Sequence, residues 1–127
     1  MIPRLVQMII GTNKHQDPVI DWELGTKLAG NKLNLAQELL RILVKSLPYD
    51  MSAIKKANAN SNSIDLLKCV HKLHGAASYC GVPRLKKVLA SFETAIKKNE
   101  VNQLESYVAD LELEATQVIQ EASQGDS

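Results

Sequence analysis

Residues Ser63-Ile-Asp-Leu-Leu-Lys-Cys-Val-His-Lys-Leu-His-Gly-Ala-Ala-Ser-Tyr-Cys-Gly81 decide how the rest of the chain is read. At about 100° per residue, Leu66, Cys69, Val70, Leu73, Ala76, Ala77 and Cys80 fall within an arc roughly 120° wide, and His71 lies almost opposite its centre. The spacing predicts one amphipathic helix with Ser63 as its N-cap and Gly81 as its stop. Its inner stripe belongs to a core, and His71 sits at the middle of the outer face. Two apolar residues break this division, because Ile64 and Leu67 fall within roughly 40° of His71. Gly75 and Ser78 share the outer stripe. A mid-helix glycine costs about 1 kcal/mol relative to alanine, so Gly75 reads as clearance beside the imidazole for a bulky group and a close-approaching partner. Lys68, Lys72 and His74 flank the same site with positive charge or hydrogen-bond donors.

The flanking segments repeat the helical pattern. Upstream, Leu33, Ala36, Leu39, Leu40, Leu43, Val44 and Leu47 recur at helical spacing and resume after Pro48 as Met51, Ile54 and Ala57. Pro48 is expected to kink or divide this helix. Asn58 to Ser63 reads as a turn. Downstream, Pro83 opens a helix with Leu85, Val88, Leu89, Phe92 and Ile96 on one face, and Lys97, Lys98 and Asn99 close it. A last helix, from about Val101 to Ala122, carries Leu104, Val108, Leu111, Ala115 and Val118. Asp21 is the N-cap of a short helix bearing Trp22, Leu24 and Leu28 that stops near Gly30. No strand pattern competes. The expected fold is all-α, an antiparallel up-down-up-down four-helix bundle over residues 21–122 with a short additional N-terminal helix. An arm or linker is expected over residues 1–20 and a disordered tail over 123–127.

Composition agrees. A chain of 127 residues, 45% hydrophobic but only 4% aromatic, with six glycines and four prolines, suits one helical domain that needs no disulfide or metal to bury a core. The Met1 to Ile10 stretch is interrupted by Pro3, Arg4 and Gln7, too short and broken for a signal or a spanning segment, so no direct membrane insertion is expected. Cys69 and Cys80 are expected as reduced thiols, since no disulfide closes within a continuous helix over that separation. Gly25 and Gly30 have the spacing of a phosphate loop, but Asn31-Lys32-Leu33 replaces the required Lys-Ser/Thr and no strand precedes it. His71 and His74 have i, i+3 spacing. Both cysteines point to the opposite face and no nearby acid completes a ligand set, so no metal site is expected.

A net charge of +1 offers no footprint for nucleic acid, yet it hides a split. Lys68 to Lys98 holds seven basic residues and one acidic residue, whereas Asn99 to Ser127 holds seven acidic residues and no basic one. The basic segment surrounds His71, which suits docking to a partner with a cluster of acidic residues.

At the motif level, His71-Lys-Leu-His-Gly-Ala-Ala-Ser-Tyr-Cys-Gly81 resembles the histidine phosphotransfer (HPt) pattern His-x-Leu-[Lys/Arg]-Gly-[Ser/Ala]-[Ser/Ala]-x-x-x-Gly. Val82-Pro83-Arg84-Leu85 continues it, and Asp21-Trp22 with Leu35-Ala-Gln-Glu-Leu-Leu40 makes the chain most similar to the C-terminal HPt domain of BarA/GacS-type hybrid sensor kinases. His74 departs from the pattern, standing where most members carry Lys or Arg. The resemblance implies that His71 accepts a phosphoryl group from a receiver-domain aspartate and passes it to a response-regulator aspartate. Lys68, Lys72, His74, Gly75 and Ser78 are then neighbours of the phosphate, and Ile64, Leu67 and Arg84 dock the receiver. It also implies a phosphocarrier without independent catalysis, no cofactor bound by this chain, and Mg²⁺ on the partner receiver. The implied location is the cytoplasm, as a separate protein or as the C-terminal domain of an inner-membrane sensor kinase. A helical interaction or dimerisation module using Ile64 and Leu67 is the other reading, under which changing His71 leaves activity untouched. If Gly75 provides clearance, Gly75→Leu slows phosphotransfer while helicity by circular dichroism is preserved or raised. Unchanged transfer would exclude that role.

Overall fold

The computed structural model describes residues 17–125, and those residues form five helices and one 3₁₀ turn without a strand. They are α1 (Trp22–Leu28), α2 (Leu33–Ala59), α3 (Ser63–Ala77), α4 (Pro83–Lys97) and α5 (Leu104–Gly125), with the 3₁₀ turn Val101–Gln103 leading into α5. Each of the four long helices packs on its neighbours in sequence, α5 also packs on α2, and α1 lies against α2. The short connections force antiparallel neighbours, so the chain closes a four-helix ring. Phe92, Leu47, Ile54, Leu66, Leu73, Leu85, Leu89 and Leu111 are fully buried at its centre, and the Phe92 and Tyr107 rings stack with centroids 5.6 Å apart.

Several boundaries differ from those expected. Pro48 does not divide α2, which runs unbroken through it for 27 residues. An interior proline costs about 3 kcal/mol in a helix, but Leu43 and Leu47 before it and Met51 and Ile54 after it are all buried in one core. Burial on both sides outweighs the missing hydrogen bond. The cap of α3 is Asn62, whose side-chain oxygen accepts the Asp65 N–H at 3.1 Å, one residue before the expected Ser63. Helix α3 ends at Ala77, and residues 78–81 form a turn. At the other end of the chain, α5 extends through Gly125, so residues 123–125 of the expected tail are helical. Nothing before Gly125 breaks that helix, because Ser123 and Gln124 both tolerate it. Residues 1–16 and 126–127, with most of the expected arm and the end of the tail, lie outside the described residues.

Gly25 and Gly81, one from the rejected phosphate-loop spacing and one from the helix stop, meet each other. The Asp21 N–H donates to the Gly81 carbonyl at 2.8 Å, and Asp21 also caps α1 by accepting the Leu24 N–H at 3.0 Å. A β-carbon at Gly81 would stand 2.0 Å from the Asp21 carbonyl oxygen and 2.7 Å from the Gly25 nitrogen, both backbone atoms that cannot swing away. A β-carbon at Gly25 meets the Gly81 nitrogen at 3.3 Å. The two glycines let α1 seat its backbone on the turn between α3 and α4. Gly81→Ala is therefore expected to lose about 1–3 kcal/mol through overpacking, read as a lower urea midpoint with an unchanged slope, and Gly25→Ala is expected to lose less.

Candidate functional site

Helix α3 places its two faces largely as the periodicity requires, except that Ala76, expected on the inner stripe, is exposed and Cys69 is half-buried. Leu66, Val70, Leu73 and Ala77 are buried, while the His71 side chain is 74% exposed. Ile64 is 70% exposed on the same stripe, and Leu67 is half-buried, packed against the edge of the core. A β-carbon at Gly75 meets nothing within 4 Å, so close helix packing does not explain the glycine and the space beside His71 is open. Lys68 and Lys72 are exposed, without an ion-pair partner among the described residues.

The residue that organises the site comes from α4. Glu93, with a side chain only 10% exposed, directs Oε2 to His71 Nδ1 at 2.7 Å and Oε1 to His74 Nδ1 at 2.9 Å. Lys97, one turn further along α4, places Nζ 3.4 Å from Oε2. Burial by itself pushes the Glu93 carboxyl up. Hydrogen bonds from His74 and His71, the charge of His71 and the Lys97 ammonium outweigh this and lower it from 4.5 to about 2. The group is thus a carboxylate, which only accepts, so Nδ1 carries the proton on both rings. In neutral His71 the free lone pair is then on Nε2, the nitrogen not engaged by Glu93.

His74 differs from its expected setting. Its side chain is 25% exposed and its Nδ1 is committed to Glu93, so it supports the carboxylate from below the exposed stripe. Ser78 Oγ donates to the His74 carbonyl at 2.8 Å, closing the end of α3. Arg84, expected among docking residues, is turned instead to α5, where Nε and Nη2 each lie 3.0 Å from an oxygen of Glu114. Only Nη2 donates a hydrogen bond, to Oε2, while Glu114 Oε1 is buried without a hydrogen-bond partner among the described residues, and this ion pair ties α4 to α5. Cys69 and Cys80 are free thiols. Among the described residues no group of three or more His, Cys, Asp or Glu is placed to hold a metal ion, although Glu93 supplies the acid near His71 and His74 that α3 itself lacks.

Glu93 and Lys97 were not legible as site residues from spacing around His71, because they lie 22 and 26 positions away. A signal existed nonetheless. Glu93 is the single acid between Lys68 and Lys98, and at about 100° per residue it lies at the edge of the apolar arc of its own helix, roughly 40° from Leu89, where it is buried. An unpaired carboxylate does not persist there, so a donor had to face it.

A helical bundle displaying one solvent-facing imidazole, braced at Nδ1 by a buried carboxylate and bordered by lysines and an open glycine, is built as a carrier module. The ring is held outward, toward solvent. The Hpt domain model matches residues 38–123. The chain is 40% identical over 103 residues to the sensor protein GacS of Pseudomonas syringae pv. syringae, covering 76% of this chain and 11% of that protein. It is 30% identical over 122 residues to the signal transduction histidine-protein kinase BarA of Shigella flexneri, covering 95% of this chain and 13% of the relative. The crystal structure of an HPt domain from a Shewanella hybrid histidine kinase superposes with a TM-score of 0.77 at 36% identity, over 84% of this chain and 92% of that one. The chain belongs to the Hpt domain family, whose members are phosphocarriers within phosphorelays and not independent catalysts. It spans roughly a tenth of the length of those two sensor kinases. No helix among the described residues is long and apolar enough to cross a membrane.

The charge on Glu93 has a measurable consequence. Its folded value lies below its unfolded one, so its stabilising contribution is complete above about pH 4.5 and is lost as pH falls through about 2. The stability difference between wild type and Glu93→Gln is expected to shrink by about 3 kcal/mol across that window, followed by urea unfolding at a series of pH values. A constant difference would show that the carboxylate is not held by these donors.

Proposed function

We propose that His71 is the phosphoacceptor of this domain, taking a phosphoryl group from the aspartyl phosphate of a receiver domain and passing it to the aspartate of a second receiver. The observation that carries this reading is the Nδ1 hydrogen bond to a buried carboxylate, because it decides which nitrogen is free to react. The Nε2 lone pair attacks phosphorus in line with the bond to the aspartyl oxygen. That oxygen–phosphorus bond breaks, and its electron pair leaves on the aspartate carboxylate. The Nδ1 proton stays where it is. The ring becomes a phosphoimidazolium cation, and Glu93, already ionised and 2.7 Å away, neutralises it without moving a proton. Transfer onward retraces the path, since nitrogen–phosphorus cleavage returns the pair to Nε2.

Phosphoryl transfer through a loose transition state depends mainly on alignment and on neutralising the equatorial oxygens. Lys68 and Lys72 supply charge from this side, together with Mg²⁺ held by the receiver. Ile64 and the exposed edge of Leu67 provide apolar contact for the receiver, and the open space at Gly75 admits its loops. In this reading the domain acts as a segment of a longer hybrid sensor kinase, on the cytoplasmic side of the inner membrane.

Incubation with a phosphorylated receiver is expected to place acid-labile, alkali-stable label on the chain, and His71→Gln is expected to abolish it. Label on that variant at the wild-type level would overturn the assignment and favour a purely structural interaction module.

A further inference from the structure

The Glu93 carboxylate serves two imidazoles from one helix, and the service is unequal. Oε2 is shared by His71 Nδ1 at 2.7 Å and Lys97 Nζ at 3.4 Å, whereas His74 Nδ1, at 2.9 Å, is the partner on Oε1. Glu93 reaches the site on a side chain with three rotatable bonds. One donor leaves the carboxylate free to turn about its last bond, while donors on both oxygens set its plane. His71 and His74, one turn apart on α3, impose that plane together. Without His74, Oε1 loses its partner in a place where little water reaches, and Lys97 draws the carboxylate along α4, away from His71.

We propose that His74 is a positioning residue for phosphoryl transfer, acting through Glu93 on the orientation and tautomer of His71 and not on the phosphate itself. The proposal rests on the reading of His71 as phosphoacceptor. A long cation at this position, as the motif usually carries, would be free to extend toward an incoming phosphate. The His74 ring is three-quarters covered, and Nδ1 points into the seam between α3 and α4. Lys68 and Lys72, exposed and unpaired among the described residues, remain the groups on α3 available to the phosphate oxygens.

Asparagine separates this role from the alternatives, because its amide nitrogen is attached to Cγ as Nδ1 is in histidine and so keeps a donor in the same place without an imidazole. The test compares wild type, His74→Ala, His74→Asn and His71→Gln by two measurements. These are the single-turnover rate of phosphotransfer from a phosphorylated receiver as a function of receiver concentration, and the ¹⁵N chemical shifts of the His71 ring in the unphosphorylated chain. His74→Ala is expected to slow the saturating rate about fivefold, the rate equivalent of one hydrogen bond. The half-saturating receiver concentration stays unchanged, and His71 shifts from the Nδ1–H tautomer to a mixture. His74→Asn is expected to restore most of both. A saturating rate and tautomer that do not respond to His74→Ala would overturn the proposal, and so would a changed half-saturation with an unchanged tautomer. A wild-type chain that takes no label, or a His71→Gln chain labelled like it, overturns the phosphoacceptor reading and the proposal with it. A labelled wild type whose rate and tautomer ignore His74 overturns the proposal alone.

Discussion

A carboxylate buried in an apolar seam keeps its charge only while donors occupy it, and this condition on Glu93 links the bundle to its chemistry. Three donors meet it: His71 and His74, one turn apart on α3, and Lys97, one turn beyond Glu93 on α4. Sliding or rotating either helix by a fraction of a turn would leave a charged oxygen without a partner, a larger penalty than the loss of an exposed ion pair. The apolar side chains beneath supply the general driving force for packing α3 on α4. The carboxylate admits one alignment among those the core would tolerate, and that alignment presents Nε2 of His71 outward.

Helix α3 therefore works through both of its faces at once. Leu66, Val70, Leu73 and Ala77 hold it in the core, and the opposite stripe is fixed through them and through the His71 bond to Glu93. Ile64, Lys68, His71, Lys72 and Gly75 are exposed on the side away from the core. The closing turn is pinned from a distance, through the Asp21 to Gly81 backbone bond and the approach of Gly25. Of the basic segment from Lys68 to Lys98, Lys68 and Lys72 flank the histidine on α3 and Lys97 reaches it through Glu93, whereas Arg84 and Lys87 pair with Glu114 and Asp17. What remains unpaired on α3 is a local positive surface, from Lys68 and Lys72, on a nearly neutral chain.

Much of this was legible in the order of residues, for identifiable reasons. Helical periodicity is a local property, so the inner stripe of α3, the exposure of His71 and the apolar faces of the other helices follow from spacing alone. Gly75 and Ile64 were legible because each breaks a local rule on an outer face. Pro48 was misleading for a complementary reason. Its local cost is real, but it competes with burial of Leu43, Leu47, Met51 and Ile54 against three other helices, which no window around the proline contains. The ion pair of Arg84 was hidden in the same way, since its partner Glu114 lies 30 positions downstream.

By itself the sequence determined that the chain is a helical bundle, that His71 faces outward between lysines and an open glycine, and that positive charge gathers around it. Each of these depends on neighbours within about two helical turns. Only the tertiary structure decided which nitrogen of His71 is free, that His74 turns inward, and that Gly25 and Gly81 share one contact. Those outcomes depend on Glu93, Lys97 and the seat of α1, which reach the site across helix–helix seams. Local spacing sets which way a side chain points, whereas its proton and its partner are chosen by whatever the fold brings opposite to it.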